Sequence, residues 1–239
     1  MNINGQAAIV TGGASGLGAQ TARELARRGA KVAVFDRNSE GAAAVAAEIG
    51  GVGCECDITS TDSVLAAVQK ARGAHGPARI LMNVAGIGTA KRLIGKDGSP
   101  MPLEDFRRVI EVNLIGTFNV TRLAVAEMVK LEALIDDANS GERGVVVNTA
   151  SVAAFDGQVG QEAYAASKGG VVSLTLPLAR DLAQFGVRVV TIAPGLFLTP
   201  LMAELPQAVQ DSLAASIVEN TALNGEVIRL DGALRMAPR

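Results

Sequence analysis

The sequence AAIVTGGASGLG at residues 7–18 joins an apolar, strand-like run to a helical pattern through a cluster of glycines. Glycine suits such a junction because it tolerates positive φ, bares the backbone to a ligand, and lets helix and strand pack closely. The N–H groups and dipole of the following helix attract phosphate. A plain strand-to-helix turn is the alternative, but the position at the first such junction favours a dinucleotide site. Its predicted contacts are Gly12, Ser15, Leu17 and Gly18.

Strand-like and helical segments alternate along the rest of the chain. The strand-like runs cover residues 7–11, 31–35, 52–56, 78–84, 144–150, 187–193 and 226–230. The longest helical patterns cover residues 103–134, with room for a bend, and 162–185. Such alternation is typical of βαβ units, whose right-handed crossovers build a parallel sheet with helices on both faces. We predict an α/β fold of the doubly wound Rossmann type, in a single domain over residues 1–239.

The composition narrows the functional classes. The chain has 239 residues, of which 49% are apolar and 19% charged, which suits one packed α/β domain. A net charge of −2 gives no general attraction to nucleic acid or to anionic membranes. The single histidine, His75, excludes a multi-histidine metal site, and the Cys54-x-Cys56 spacing fits neither zinc nor a disulfide framework. We expect a cytoplasmic protein with no signal peptide, membrane span, metal or nucleic-acid partner.

Two acidic residues follow the second and third strands. Asp36 lies 18 residues beyond Gly18, where a carboxylate can accept hydrogen bonds from the adenosine ribose and repel a 2′-phosphate. This predicts NAD rather than NADP, although the adjacent Arg37 could stack on adenine or receive a phosphate. Asp57 is placed to meet the adenine amino group, with Ile58 against the ring. The alternative for Asp57 is a cap on the helix that follows.

Polar motifs follow the fourth and fifth strands and occupy the helix after them. NVAG lies at residues 83–86, NTAS at 148–151 and YAASK at 164–168. Ligands of open parallel sheets bind beyond the carboxyl ends of the strands, which is where all three motifs fall. Tyr164 and Lys168 are four residues apart and therefore share one helical face.

Together these motifs resemble the short-chain dehydrogenase/reductase family in its classical branch. The matching elements are TGGASGLG at 11–18, Asp57, NVAG at 83–86, Asn113 in VNLIG at 112–116, Ser151, YAASK at 164–168, and Pro194-Gly195 with Thr199. One departure is NVAG, where the family more often has NNAG. The match runs from residue 7 to about 203 and resumes at 224–236. The resemblance implies an oxidoreductase that interconverts a secondary alcohol and a ketone with a nicotinamide cofactor.

The resemblance also implies a role for each residue of the motif set. Tyr164 would be the general acid/base. A free phenol, with a pKa of about 10, is a poor base near neutrality, so the Lys168 ammonium and the positive nicotinamide would have to stabilise the phenolate. Ser151 would hydrogen-bond the substrate oxygen, and Asn113 would hold a water that links Lys168 to solvent. Cofactor contacts are further implied for Lys168, Tyr164, Val84, Phe197 and Thr199.

Three longer stretches, 148–170, 191–201 and 223–236, resemble in particular the type II 3-hydroxyacyl-CoA dehydrogenases. These are NAD-dependent enzymes that also oxidise hydroxysteroids. The polar stretch 88–102 resembles an insertion of that group, with a solvated loop as the alternative. Its basic residues would meet the phosphates of CoA: Lys91, Arg92 and Lys96.

The expected reaction is therefore the conversion of an (S)-3-hydroxyacyl-CoA to a 3-oxoacyl-CoA. Three alternatives remain open: a hydroxysteroid or other secondary-alcohol dehydrogenase, a 3-oxoacyl reductase, and a non-catalytic scaffold subunit. The resemblance further implies a homotetramer built on the two long helices. The substrate pocket would be formed by Ser151 and Tyr164 together with Val152, Phe155, Gln158, Leu201 and Met202.

A substrate lobe is predicted at about residues 196–223, and it is shorter than the family's. Residues 206–216 would form one helix, and residues 217–220 would then run almost directly into the last strand. A parallel crossover needs about a dozen residues or more. We expect a segment to be missing from this sequence between about Ser216 and Val218, with a truly shortened lobe as the alternative.

Overall fold

A computed structural model describes residues 1–88, 90–136, 139–195 and 217–230. In chain order, its elements are β1 (Ala7–Thr11), α1 (Gly16–Arg27), β2 (Lys31–Asp36), α2 (Ser39–Ile49), β3 (Val52–Glu55), α3 (Thr61–His75), β4 (Ile80–Asn83), α4 (Leu103–Ile110), α5 (Thr117–Met128), β5 (Leu134–Asp136), β6 (Asn139–Glu142), β7 (Gly144–Thr149), α6 (Glu162–Ala183), β8 (Val187–Pro194) and β9 (Val227–Leu230). A π-helical turn, Glu111–Gly116, joins α4 to α5, and a 3-10 turn, Val152–Ala154, precedes α6.

Seven strands form one parallel sheet in the order β3-β2-β1-β4-β7-β8-β9. All seven predicted strands are present, each within two residues of its predicted bounds. The order reverses between β1 and β4, where the chain leaves toward opposite faces of the sheet. The predicted doubly wound α/β fold is confirmed.

The strands are apolar on both faces because helices cover both. In β1, Ala8 and Val10 pack in the core beneath α1 and α2, whereas Ile9 packs in the core beneath α3 and α5. β4 repeats the pattern, with Ile80 in the first core and Leu81 in the second. Side chains of a strand alternate between faces, so a strand buried on both sides must be apolar throughout. This explains the continuous apolar runs of the sequence.

The helix predicted over residues 103–134 is wrong beyond Met128. The chain leaves the helical path there and enters an antiparallel hairpin of β5 and β6. Two arginines from elsewhere in the fold hold this path: Arg79 donates to the carbonyl oxygen of Glu132 at 2.9 Å, and Arg143 donates to that of Leu131 at 2.8 Å. These carbonyls would otherwise be available to continue the helix.

The segment Leu103–Met128 is long enough, and at a mean hydropathy of 1.3 apolar enough, to cross a membrane by those measures alone. The sequence predicts no membrane span, because polar or charged residues interrupt every long apolar run. Half of an 18-residue stretch within this segment is buried inside the fold. Val120, Ala124 and Met128 lie in the core against the sheet. This is the environment of a core helix.

The last strand closes the sheet through a parallel crossover. β9 pairs with β8 in the register Thr191↔Val227 to Pro194↔Leu230, so residues 195–226 connect the two strands. Ile217 and Val218, near the end of this connection, are fully buried in the core. The predicted break at Ser216 and most of the predicted lobe at 196–223 lie outside the described residues.

Candidate active site

A cleft opens at the carboxyl ends of β1 and β4, where the strand order reverses. It has a volume of about 460 Å³. α1 and α4 leave the sheet on opposite faces and form its walls. Eight residues predicted from the sequence to contact a cofactor line it: Gly12, Ser15, Leu17, Gly18, Asp36, Asp57, Ile58 and Val84.

The glycines of the first turn bring backbone close to the cleft. Gly12 has a φ of 68°, and a Cβ there would lie 2.8 Å from the Cα of Ala85. A Cβ on Gly18 would overlap the carbonyl oxygen of Gly12. Ser15 is the N-cap of α1, yet its side chain makes no capping hydrogen bond, and the first turn carries no acidic residue. The first N–H groups of α1 have no partner within the helix, so this end suits the pyrophosphate of a dinucleotide.

Asp36 is held at the end of β2 by the backbone around it. One carboxylate oxygen accepts from the N–H of Ala14 at 3.1 Å, and the other accepts from the N–H of Asn38 at 2.9 Å. The carboxylate is therefore fixed between the glycine turn and the start of α2. Because Asp36 also lines the cleft, its carboxylate is available to a ligand that binds there.

Asp57 closes the same end of the cleft. One of its oxygens accepts from both the N–H and the hydroxyl of Thr59, and the other lies 3.6 Å from Nε of Arg37. The Thr59 hydrogen bond, with the positive charge of Arg37 adding to it, lowers the pKa of Asp57. The alternative role as helix cap is wrong, because Ser60 caps α3 by accepting from the N–H of Ser63 at 3.3 Å.

Two polar residues that the sequence analysis did not single out position the predicted contacts. Asn119 of α5 donates to the carbonyl oxygen of Ile58 at 2.9 Å. Thr11 accepts from the N–H groups of Val84 and Ala85, each at 3.1 Å. All three hydrogen bonds link residues distant in sequence, so no local pattern could have indicated them.

Lys168 and Tyr164 occupy the first turns of α6, on one face as predicted. Lys168 is only 4% exposed, and its Nζ donates to the carbonyl oxygen of Thr149 at 2.7 Å. The ammonium lies 5.8 Å from the centroid of the half-buried Tyr164 ring. Burial lowers the pKa of Lys168 to about 8. A buried cation beside a phenol is the arrangement that stabilises a phenolate.

Asn113 lies fully buried in the π-helical turn and clamps the loop after β4. Its Oδ1 accepts from the N–H of Ile87 at 2.8 Å, and its Nδ2 donates to the carbonyl oxygen of Ile87 and to Oγ of Ser167. A Cβ on Gly86 would lie 3.2 Å from Asn113 Oδ1 and 3.4 Å from Lys168 Nζ. The amide and the ammonium therefore face the same glycine. The π-turn, which is often found at functional sites, was not predicted.

Ser151 begins the 3-10 turn that packs on α6. Its Oγ accepts from the N–H of Ala153 at 3.1 Å, which leaves the hydroxyl proton available to another acceptor. The turn thereby places Ser151 at the end of β7, close in sequence to the predicted substrate residues.

The predicted substrate residues differ in exposure. Phe155 is 46% exposed and lies 5.0 Å from the guanidinium of Arg229, and Gln158 is half-buried. Val152, a residue of the 3-10 turn itself, is wrong as a residue of an open pocket, because it is only 2% exposed. The predicted contacts Phe197, Thr199, Leu201 and Met202 lie outside the described residues.

The fold and the cleft define a dinucleotide-dependent oxidoreductase, and the sequence profile of the short chain dehydrogenase family matches residues 6–210. The chain belongs to that family, and the resemblance predicted from its motifs is confirmed. The 3-hydroxyacyl-CoA dehydrogenase type-2 of Homo sapiens is 48% identical over 259 residues, covering 99% of this chain and 98% of that protein. The aligned length exceeds the 239 residues of this chain, so the relative carries residues that this chain lacks.

Solved structures agree with this placement. That of 3-hydroxyacyl-CoA dehydrogenase type-2 from Mycobacterium avium has a TM-score of 0.88 at 39% identity and covers 100% of both chains. A 7α-hydroxysteroid dehydrogenase, complexed with NADH and a 7-oxo bile acid, has a TM-score of 0.83 at 28% identity. It covers 100% of this chain and 98% of its own.

Proposed function

We propose that this chain is an NAD-dependent dehydrogenase that converts an (S)-3-hydroxyacyl-CoA to the 3-oxoacyl-CoA. The observation that carries the reaction is the pairing of Tyr164 with the buried ammonium of Lys168, which lies close to Gly86 in the lining of the cleft. The substrate class is supported by the 48% identity to a protein of that name over nearly the whole chain.

Tyr164 moves the proton in this proposal. In the oxidation direction its phenolate oxygen accepts the proton of the substrate hydroxyl, and in the reverse direction the phenol returns it. Lys168 favours the phenolate through its positive charge, and Ser151 donates its free hydroxyl proton to the substrate oxygen. The nicotinamide cofactor supplies the hydride acceptor or donor when bound. Asn113 keeps the loop after β4 against Lys168 and, with a water, would connect Lys168 to solvent.

NAD is the proposed cofactor because Asp36 presents its carboxylate to the cleft. The negative charge of Asp36 would repel a 2′-phosphate, whereas a ribose hydroxyl would donate a hydrogen bond to the carboxylate. Arg37, the residue that could receive a phosphate, is oriented toward Asp57 instead. The NADH bound in the hydroxysteroid dehydrogenase structure is consistent with this choice.

The stretch at residues 90–102 supports an acyl-CoA in part. It forms a small hairpin arm in which Met101 donates to the carbonyl oxygen of Leu93 and Gly95 to that of Ser99. Lys91 is ion-paired with Asp105 at 2.5 Å, so it is the least suited of the three basic residues to meet CoA. Arg92 and Lys96 are exposed on the arm and are the proposed phosphate contacts.

The test compares kcat/KM for acetoacetyl-CoA with NADH against hydroxysteroids and simple alcohols with NAD. We expect acetoacetyl-CoA to be preferred and Tyr164→Phe to lower kcat by about 10²–10⁴-fold without weakening NADH binding. The double variant Arg92→Gln/Lys96→Gln should raise the KM for acetoacetyl-CoA, whereas Lys31→Gln, on the exposed start of β2, should not. A preference for a steroid would favour the second candidate.

That second candidate is a hydroxysteroid dehydrogenase, supported by the similarity to the 7α-hydroxysteroid enzyme. Its catalytic residues would act in the same way, so only substrate preference separates it from the first. A biological role that survives Tyr164→Phe would instead indicate a non-catalytic subunit.

We further propose a homotetramer. The long helices and the turn between them carry exposed apolar side chains, which contacts with other subunits would cover. These are Leu103, Ile115, Phe118 and Leu176. Sedimentation equilibrium of the purified chain tests it, and a monomer would contradict it.

A further inference from the structure

The cleft contains an arginine that neither the sequence motifs nor the proposed reaction uses. Two arginines line it, Arg37 and Arg108. Arg37 belongs to the adenine end with Asp36 and Asp57. Arg108 lies in the last turn of α4, on the wall that faces the glycine turn across the cleft.

Of the three acidic residues within four positions of Arg108, which are Glu104, Asp105 and Glu111, the first two are engaged with other groups. Glu104, one turn before it, accepts from Arg107 at 3.2 Å, and Asp105 is paired with Lys91. Arg37 is similarly occupied, 3.6 Å from Asp57. Within the part of the chain that the structure describes, the exposed Arg108 guanidinium has no acid within 4 Å. It is the cation of this cleft that remains available to a ligand.

Among the described residues, the glycine-turn side of the cleft offers no cationic side chain to a pyrophosphate. The glycine turn offers only backbone N–H groups and the Ser15 hydroxyl, and the acidic side chains Asp36 and Asp57 lie in the same lining. A guanidinium is planar, permanently charged and suited to bidentate contact with phosphate oxygens. The Arg108 guanidinium, on the α4 side of the cleft, would bind an anion without first breaking an ion pair.

We propose that Arg108 binds the pyrophosphate of the dinucleotide from the α4 side of the cleft, opposite the N-terminus of α1. This rests on the proposed function, since it requires a dinucleotide in the cleft. Arg108 is thus a positioning residue for the cofactor. It contacts the phosphates and not the nicotinamide, so its removal should weaken binding more than it slows the reaction of bound substrate.

The test measures dissociation constants by isothermal titration calorimetry for NADH, ADP-ribose and adenosine. Arg108→Gln should raise the Kd for NADH and for ADP-ribose about 10-fold, while the Kd for adenosine, which has no phosphate, should not change. Arg108→Lys should recover part of the affinity, since it keeps the charge. Arg107→Gln is the matched control, because Arg107 is the adjacent residue and is paired with Glu104; its Kd values should stay within about 2-fold of wild type.

Three results would overturn this inference while the wild-type protein still binds NADH. The first is an unchanged Kd for NADH in Arg108→Gln. The second is an equal loss of affinity for adenosine, which would indicate a packing effect. The third is a rise in the KM for acetoacetyl-CoA alone, which would assign Arg108 to the phosphates of CoA. A wild-type protein that binds no NADH would overturn the proposed function along with it.

Discussion

Lys168 donates from Nζ to the carbonyl oxygen of Thr149 at 2.7 Å and so ties the first turns of α6 to the end of β7. The side chain is buried, and burial lowers the pKa of its ammonium from the ordinary 10.5 to about 8. Folding therefore disfavours the charged form of a group that the proposed reaction requires to be positive. The stability of the protein should report this cost.

The first prediction concerns stability against pH. In the unfolded chain Lys168 keeps its proton up to about pH 10.5, whereas in the folded protein it loses the proton near pH 8. Between these values unfolding takes up a proton, so the contribution of Lys168 to the free energy of unfolding rises with pH. Relative to Lys168→Met, the wild type should gain about 2–3 kcal/mol between pH 7 and pH 10, measured by urea denaturation without cofactor. The same comparison with Lys31→Met, at an exposed lysine, should show no such slope.

The second prediction concerns the close approach of α1 to the first turn. Gly18→Ala places a methyl group on the carbonyl oxygen of Gly12, and only backbone movement can relieve this overlap. We expect a loss of about 2–3 kcal/mol in the free energy of unfolding and a loss of NADH binding. Gly73→Ala, inside α3 with nothing within 4 Å of the new methyl group, should stabilise the protein by about 0.5–1 kcal/mol. Equal effects of the two substitutions would contradict the proposed packing constraint.

The third prediction concerns the clamp made by Asn113. Asn113→Ala removes the partner of the half-buried N–H and carbonyl oxygen of Ile87 and of the buried Ser167 hydroxyl, which should cost about 2–3 kcal/mol. The loop that lies against Lys168 should loosen, so kcat should fall about 10-fold or more. Asn38→Ala removes an exposed helix cap instead and should cost about 1 kcal/mol with kcat unchanged. Thermal unfolding and steady-state kinetics on both variants provide the measurement.

The fourth prediction concerns the choice of cofactor. Asp36→Ala removes the negative charge that a 2′-phosphate would meet, so the ratio of kcat/KM for NADP to that for NAD should rise about 100-fold. Asp62→Ala, an exposed acidic residue in the first turn of α3, should leave the ratio unchanged. A ratio that does not move in Asp36→Ala would mean that another group excludes the phosphate.

Much of the fold could be predicted because its signals are local. The strands of a sheet that is buried on both faces appear in the sequence as continuous apolar runs. Gly12 and Gly18 indicate a turn in which a larger residue would overlap the backbone. Tyr164 and Lys168 could be paired from helical spacing alone. Parallel strands then bring their carboxyl ends to one edge, which places Asp36, Asp57 and Ser151 along it without any knowledge of distances.

The rest depends on contacts between distant parts of the chain. The helix that carries Val120 ends at Met128, shortly before the carbonyl groups of Leu131 and Glu132 that Arg143 and Arg79 bind. No residue near Leu131 signals these contacts. The engagement of Lys91 by Asp105 and the facing of Arg108 into the cleft are set by how α4 packs. Helical periodicity indicates which face of α4 is buried. It does not indicate which of the exposed residues of α4 line a ligand site.

The π-helical turn Glu111–Gly116 sets the rotational phase between α4 and α5. An α-helix advances about 100° per residue, so a turn that holds one extra residue offsets the helix before it by that angle from the helix after it. Deleting a single residue within the turn would restore regular winding and swing Arg108 and its neighbours about a quarter-circle around the axis, while α5 stayed seated on the sheet. One residue of length therefore separates a helix that lines a ligand cleft from one that merely covers a core.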